Sequence, residues 1–243
     1  MAKAIMNCRV YLAEVDLSGV ANAAAINLKT DIVECTAFAD AYKDKLAGMT
    51  DVIAEISGFY SAEAVTGNPD TKMFNQLALN NAILSILTGA GAAGEPVFFF
   101  RPTLSEYNPL GGKVSEMAVF KLHGEGAAPL VKGLVLMAKA AKTLTGTSTP
   151  FQLGAVASGQ KIYAAVHIFT VSGTLPTLDL ILQSDNAEAF SDPANQITFS
   201  QKSGVGQDWQ TKDGAVADDW WRLSYTIGGT LPSFTLAVVA GIV

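Results

Sequence analysis

Two cysteines and two histidines are the residues of this sequence best suited to nucleophilic, acid–base or metal chemistry. Cys8 and Cys35 lie in strand-like stretches. They are predicted to be reduced and buried as small hydrophobic residues, or to form a disulfide if those strands are neighbours. His123 and His167 also lie in strand-like stretches, without a G-x-S-x-G nucleophile elbow. A zinc site would need about four ligands at characteristic spacings, and these spacings are absent. The sequence therefore predicts no catalytic residue, no metal, no cofactor and no enzyme. The alternative is an enzyme that uses His123, Glu125 and the Asp-rich turns.

Residues 89–94, GAGAAG, match the letters of the dinucleotide-binding fingerprint G-x-G-x-x-G. That fingerprint requires a strand before the glycines and a helix after them, so that the phosphates meet a helix N-terminus. Here a helix is predicted before the glycines, at residues 71–87, and a strand after them, at 96–101. The glycines are predicted to end the helix and turn the chain into the strand.

The composition excludes several classes of protein. The chain has 243 residues, 49% of them hydrophobic, and a net charge of −6. This is enough for one large domain or two of about 100–150 residues. The acidic balance argues against a basic nucleic-acid binder. No apolar run reaches the roughly 18 residues of a membrane-spanning helix, so no membrane insertion is expected.

The first half is predicted to contain strands and one amphipathic helix at about residues 71–87. Phe74, Leu77, Ile83, Leu84 and Leu87 fall within one half of its helical wheel. Residues 102–113, with two prolines and two glycines, are predicted to be irregular. The Thr/Ser/Gly/Pro stretch at residues 142–150 predicts a boundary between domains 1–145 and 146–243.

The second half is predicted to be an all-β sandwich with an internal repeat. TVSGTLPTL at residues 170–178 resembles TIGGTLPSF at residues 226–234. Glycine and proline at the same offsets predict the same turn in two β-hairpins. Trp220 and Trp221 point to opposite faces of one strand, which predicts one core residue and one possible surface platform for a partner or a sugar.

Residues 5–140 resemble the major tail tube proteins of long-tailed, siphovirus-type bacteriophages. The resemblance lies in the opening hairpin (residues 9–40), the strand at 50–64, the single helix, and residues 100–137. It implies a tail-tube-type β-sandwich or barrel with one flanking α-helix, to which the second sandwich is appended. It also implies that sheets join between subunits into rings, and that the rings stack into the tail tube, the conduit for genome delivery.

The resemblance implies further partners and a location. The implied partners are a tape measure protein, tail terminator and baseplate proteins, and double-stranded DNA that passes through the lumen without sequence-specific binding. The protein is expected in the virion tail, after assembly in the host cytoplasm. The ring is a homo-oligomer of six subunits, or of three with pseudo-sixfold symmetry if the second half is itself tube-like.

Residues 37–49 are the predicted contact between stacked rings, with Tyr42, Lys43, Asp44 and Lys45 as its candidates. A polar connection of this length exceeds the usual 2–6 residues or so between strands. Residues 150–243 are expected to fold independently outside the tube wall. The alternative function is a carbohydrate-binding or adhesive virion decoration protein, with Trp209, Trp220 or Trp221 in the C-terminal sandwich holding the sugar.

Overall fold

The computed structural model describes residues 7–38, 41–61 and 69–243. These described residues are mainly β, with 62% strand and 4% helix, which confirms the predicted fold class. The helical segments within the described ranges are α1 (Pro69–Asn75) and a 3₁₀ turn (Leu17–Gly19). The strands are β1 (Arg9–Leu12), β2 (Val15–Asp16), β3 (Ala21–Glu34), β4 (Lys45–Phe59), β5 (Leu84–Leu87), β6 (Pro96–Phe100), β7 (Pro102–Gly111), β8 (Val119–Gly126), β9 (Val131–Lys142), β10 (Gly146–Thr147), β11 (Phe151–Gln152), β12 (Lys161–Asp185), β13 (Ala194–Thr198), β14 (Gly206–Asp213) and β15 (Trp220–Ile242).

These strands form two antiparallel sheets. The larger sheet has the order β13-β12-β15-β9-β6-β5-β1-β2, with β10 and β11 beside β15 and β14 beside β12. The smaller sheet has the order β3-β4-β8-β7. The inner face of the smaller sheet, with Ile56, Leu104 and Leu122, packs against Leu12 and Phe100 of the larger sheet.

The long strands β12 and β15 form one ribbon that folds back on itself. They pair from Ile162↔Ile242 to Asp185↔Trp220, with irregular register in the middle. Ile162 from one end of β12 and Leu182 from the other end lie in the same buried cluster. One continuous pair of strands therefore supplies both layers of the C-terminal sandwich.

The repeated TLP motifs form the corner of this ribbon, so their prediction as hairpin turns is wrong. The two motifs lie opposite each other, with Thr174 paired to Thr230. Their backbones match, since Leu175 and Leu231 have φ values of 48° and 50°. This left-handed region is rare for a residue with a β-carbon. Both side chains point into solvent, 84% and 88% exposed.

The helix is shorter than the predicted 71–87, because residues 76–83 form turns and irregular chain and the last four residues are the strand β5. β5 pairs with β1 on one side and β6 on the other. All four of its residues are buried, so it lacks the polar–apolar alternation that identifies a strand with one solvent-facing side. The glycines at 89–94 thus connect two antiparallel strands, and Glu95 accepts hydrogen bonds from the Gly91 and Ala92 amides.

Residues 102–111, predicted to be irregular, form the strand β7. Its prolines at 102 and 109 are tolerated because β7 is the edge strand of the smaller sheet, where one side of the backbone needs no partner.

The boundary predicted at residue 145 falls within a shared sheet. β9 pairs with β15 from Gly133↔Gly241 to Lys142↔Phe234. Phe99 and Val135 lie in one buried cluster with Ala237 and Val239. Independent folding of residues 1–145 and 146–243 stays a prediction, which truncation tests.

A chain ending at residue 145 is expected to lose its cooperative unfolding transition. Its β9 would lack the β15 neighbour, and the cluster around Phe99 would be open to water. Thermal unfolding followed by circular dichroism, with the full chain as control, measures this. A sharp transition of the truncated chain would instead favour two independently folding domains.

Replacing both corner leucines, Leu175→Asn and Leu231→Asn, is expected to leave the free energy of unfolding unchanged or raise it by about 1 kcal/mol. Asparagine tolerates the left-handed conformation better than leucine does, and little buried area is lost. The control Leu178→Ala removes a fully buried side chain and should cost about 2–5 kcal/mol. Urea titration gives both values; a loss as large as that of the control would contradict the prediction.

Candidate assembly interface

Both edge strands of the four-stranded sheet lack a neighbour in the part of the chain that the structure describes. These are β3, with 14 residues, and β7, with 10 residues. Unpaired edge strands present rows of amide and carbonyl groups that can pair with another chain. The sheet can therefore be extended at both edges by copies of itself.

The outer face of this sheet, directed away from the core, is acidic. It carries Glu55 on β4, Glu106 on β7, and His123 and Glu125 on β8, with Lys121 as a nearby cation. His123 Nδ1 lies 3.8 Å from Glu55 Oε1, and its Nε2 lies 3.7 Å from Glu125 Oε1. Glu106 is directly opposite His123 in the β7–β8 ladder. Glu55, Glu106, Lys121 and His123 line an open groove on this face.

Strands β3 and β4 extend beyond the rest of the sheet as a projecting hairpin, residues 27–51, called the arm below. β8 covers β4 only from Ile53 to Phe59. Leu28 and Ile32 continue the inward-facing stripe of the core and are 60% and 61% exposed. On the opposite face, Val33 and Leu46 form a cross-strand pair and are also exposed. Both faces of the arm thus offer apolar surface to another molecule.

The tip of the arm holds the residues predicted to contact the next ring. Cys35 N donates to Asp44 O at 3.0 Å, and Asp44 N donates to Thr36 Oγ1 at 3.0 Å. Lys43 Nζ lies 3.1 Å from Glu34 Oε2, and Tyr42 is exposed. The connection is residues 35–44, shorter than the predicted 37–49 at its C-terminal end, since Lys45 is already the first residue of β4. Residues 39–40 lie outside the described residues.

Of the tryptophan pair, one side chain is buried in the core and the other is half-buried. Trp221 is fully buried, and its Nε1 donates to Gly154 O at 2.9 Å. Trp220 on the opposite face of β15 is half-buried. Trp209 packs its ring against Phe99 and Tyr163. Trp209 and Trp220 are both half-buried, and a surface role for Trp220 stays a prediction.

The two cysteines are free: Cys8 is half-buried beside the core, whereas Cys35 is exposed at the end of β3. Within the described ranges, no three or more His, Cys, Asp or Glu side chains are grouped so that they could hold a metal ion. None of the described helices is long and apolar enough to cross a membrane.

His167 is fully buried where the two parts of the chain meet. Its Nδ1 lies 2.6 Å from the Ala13 carbonyl oxygen, and its Nε2 lies 2.8 Å from Ser85 Oγ. Since a carbonyl only accepts, Nδ1 carries the proton and Nε2 accepts from the serine hydroxyl. Burial lowers the pKa of His167 to about 4, so the ring stays neutral. Ser85 is also fully buried, and the pair joins strands instead of meeting a substrate.

Sequence analysis predicted the connection at the tip of the arm. It did not predict the exposed apolar side chains along the arm or the edge strand β7. The apolar residues Leu28, Ile32, Val33 and Leu46 had the pattern of ordinary strands, and the prolines concealed β7. A signal for the edge was present, because proline within a strand pattern is typical of edge strands.

No protein-family model and no curated protein matches the sequence. Among solved structures, the chain is similar to one described as the virion of a native gene transfer agent particle, with 12% identity and a TM-score of 0.40, over 53% of this chain and 97% of that chain. It is similar to the tail of an empty gene transfer agent particle with C6 symmetry, with 13% identity and a TM-score of 0.37, over 49% and 91%.

A third similar structure is the SPP1 Dit protein, described as a paradigm of the hub adsorption apparatus in phages that infect Gram-positive bacteria. The identity is 9% and the TM-score 0.37, over 97% of this chain and 99% of that chain. At such identities and scores, none of these likenesses supports a conclusion about function.

Acidification from pH 7 to pH 4 is expected to lower the free energy of unfolding through His167 by roughly 3 kcal/mol. The unfolded chain takes up a proton near the ordinary pKa of 6.5, whereas the folded chain resists protonation until about pH 4. This stability is therefore complete above the ordinary pKa and is lost as the pH falls towards 4. Urea unfolding at several pH values measures the slope.

His167→Gln should have a lower stability at pH 7 but a flatter pH dependence than the wild type. Equal slopes for the wild type and His167→Gln would contradict the role assigned to His167.

Proposed function

We propose that the protein is a structural component of a bacteriophage-type tail, in which copies join into rings and the rings stack into a tube. The observation that carries this proposal is the four-stranded sheet with two unpaired edges and a projecting arm. The edges fit sheet extension around a ring, and the arm fits contact between rings. Residues 5–140, whose sequence resembles tail tube proteins, contain this whole sheet.

The width of the sheet supports six subunits in a ring over three. With strands about 4.8 Å apart, six sheets of four strands close a wall with a backbone diameter of about 37 Å before strand tilt widens it. Three such sheets give about 18 Å, which inward side chains would narrow below the width of a DNA duplex. The three-subunit alternative needs a second sheet of this kind, yet the C-terminal strands β12 and β15 belong to the larger sheet.

The acidic outer face suits the lumen of such a tube. Glu55, Glu106 and Glu125 would repel the phosphates of passing double-stranded DNA, so the duplex would not bind to the wall. No base-reading element is needed for this role. During assembly the same lumen would hold a tape measure protein, and terminator and baseplate proteins would cap the ends.

The C-terminal part, residues 150–243, is placed outside the wall in this proposal, because the unpaired edges belong to the smaller sheet. The protein would be located in the virion tail after assembly in the host cytoplasm. The rival function, a sugar-binding decoration protein, lacks a specific observation in its favour, since Trp221 is buried.

Lys43→Glu together with Lys45→Glu is expected to shorten or abolish tubes while the chain still folds. The change breaks the Lys43–Glu34 ion pair and leaves the arm tip strongly acidic in a protein of net charge −6. Each exposed like-charge contact costs up to about 1 kcal/mol, repeated at every subunit of a ring. Negative-stain electron microscopy gives the tube length, and circular dichroism checks the fold.

Lys132→Glu with Lys161→Glu is the matched control, with the same charge change on the larger sheet. Normal tubes from this control and short tubes from the arm variant are the expected pair of results. Tubes of unchanged length and stability from the arm variant would remove the two lysines from the assembly contact. A wild-type protein that stays monomeric at high concentration, without rings or tubes, would overturn the proposed function itself.

A further inference from the structure

The hairpin turn between β7 and β8, residues 112–118, lies at the end of the four-stranded sheet opposite the arm. β8 and β7 converge at Val119, which pairs with Gly111, and the same Val119 pairs with Phe59 at the end of β4. The arm begins at the other end, beyond the Ile53↔Glu125 pair. One sheet therefore has two projecting ends that point in opposite directions along its strands.

This turn exposes apolar side chains. Val114 is 98% exposed and Met117 is 68% exposed, with Leu110 and Phe59 beside them at the same end of the sheet. Two backbone amides of the turn are partnered within it, because Lys113 N donates to Glu116 Oε2 at 3.1 Å and Glu116 N donates to Lys113 O at 3.0 Å. The turn therefore presents an apolar surface on a locally braced backbone.

The arm presents the matching surface at the opposite end. Leu28 and Ile32 on one face, and Val33 and Leu46 on the other, extend out from the core into solvent. The projecting part of β4, residues 45–51, spans about 23 Å at the usual rise per residue. This length lets the arm pass well beyond the edge of its own subunit.

We propose that the β7–β8 turn is the surface that binds the arm of the next copy of this chain, so that copies join head to tail along the strand direction. The inference rests on the proposed function and names the receiving surface, which that function leaves open. Two different surfaces at opposite ends of one sheet make a heterologous contact, which continues from copy to copy instead of closing as a dimer.

The charges of the two ends permit this contact between copies of an acidic protein. The arm tip carries Lys43 and Asp44, and the turn carries Lys113 and Glu116, so that each end has both signs. Neither end adds a block of negative charge to a chain whose net charge is −6. Arm-to-arm contact would also bury apolar surface, but it would leave the Val114 and Met117 surface uncovered.

Disulfide cross-linking between the arm and the turn tests the proposal. In a Cys35→Ser background, Tyr42→Cys and Val114→Cys are combined, and the assembled protein is oxidised mildly. The expected result is a ladder of covalent dimers, trimers and longer multimers on a non-reducing gel, because each copy donates one arm and one turn. Tyr42→Cys with Val205→Cys, an exposed position just before β14, is the matched control and should give no ladder.

A second pair of changes tests the contact without new thiols. Val114→Asp with Met117→Asp should leave rings intact, because both side chains are exposed and lie in the turn, beyond the paired part of the edge strand β7. It should reduce stacked tubes at least tenfold in electron micrographs. Tubes of normal length from this variant would overturn the proposal.

The outcomes separate the proposal from the function on which it rests. Wild-type tubes without a cross-linked ladder would overturn the arm-and-turn contact and leave the tube function standing. Covalent dimers from Tyr42→Cys alone would show arm-to-arm contact and overturn it as well. Absence of any assembly by the wild type would overturn the tube function and this contact together.

Discussion

The pairing of β15 with two neighbours at once is the constraint on which the other elements depend. Along one side β15 follows β12 for nearly its whole length, and along the other it pairs with β9 at one end and with β10 and β11 at the other. β9 in turn pairs with β6, which leads through β5 to β1. The position of the smaller sheet follows, because it packs on the strands so placed.

The two sheets use their backbone hydrogen bonds differently. The central strands of the larger sheet are paired on both sides and buried, and the His167 contacts to Ala13 and Ser85 add side-chain bonds between distant strands. The smaller sheet buries one face and keeps both edges unpaired. A stable body thus carries an incomplete sheet, as a subunit that assembles through strand edges requires.

Such an incomplete sheet is also open to aggregation through its edges, and the arm carries charges that reduce this hazard. Lys29 lies opposite Asp51, and Glu34 lies opposite Lys45, between the apolar residues of the arm. Charged residues within exposed strands disfavour random edge-to-edge pairing while still permitting a specific contact.

The sequence predicted the β class, most strands and the tip of the arm, because alternation of polar and apolar residues reports strands with one wet face. It failed where that alternation is absent. β5 is buried throughout, so its four residues continued the apolar pattern of the predicted helix, and β7 carries prolines that an edge strand accepts. The exposure of Leu28, Ile32 and Val114 depends on where neighbouring strands end, which local patterns do not record.

The two TLP motifs bear on how sequence repeats are interpreted. Two similar segments within one sequence usually suggest gene duplication of a structural unit. Here the two copies are the two sides of one crossing, where antiparallel strands bend together about a local twofold axis. The backbone on each side of the crossing has the same steric requirements, and the same residue types meet them in both strands. An internal sequence repeat in a β protein can therefore mark a local twofold axis and need not indicate duplicated domains.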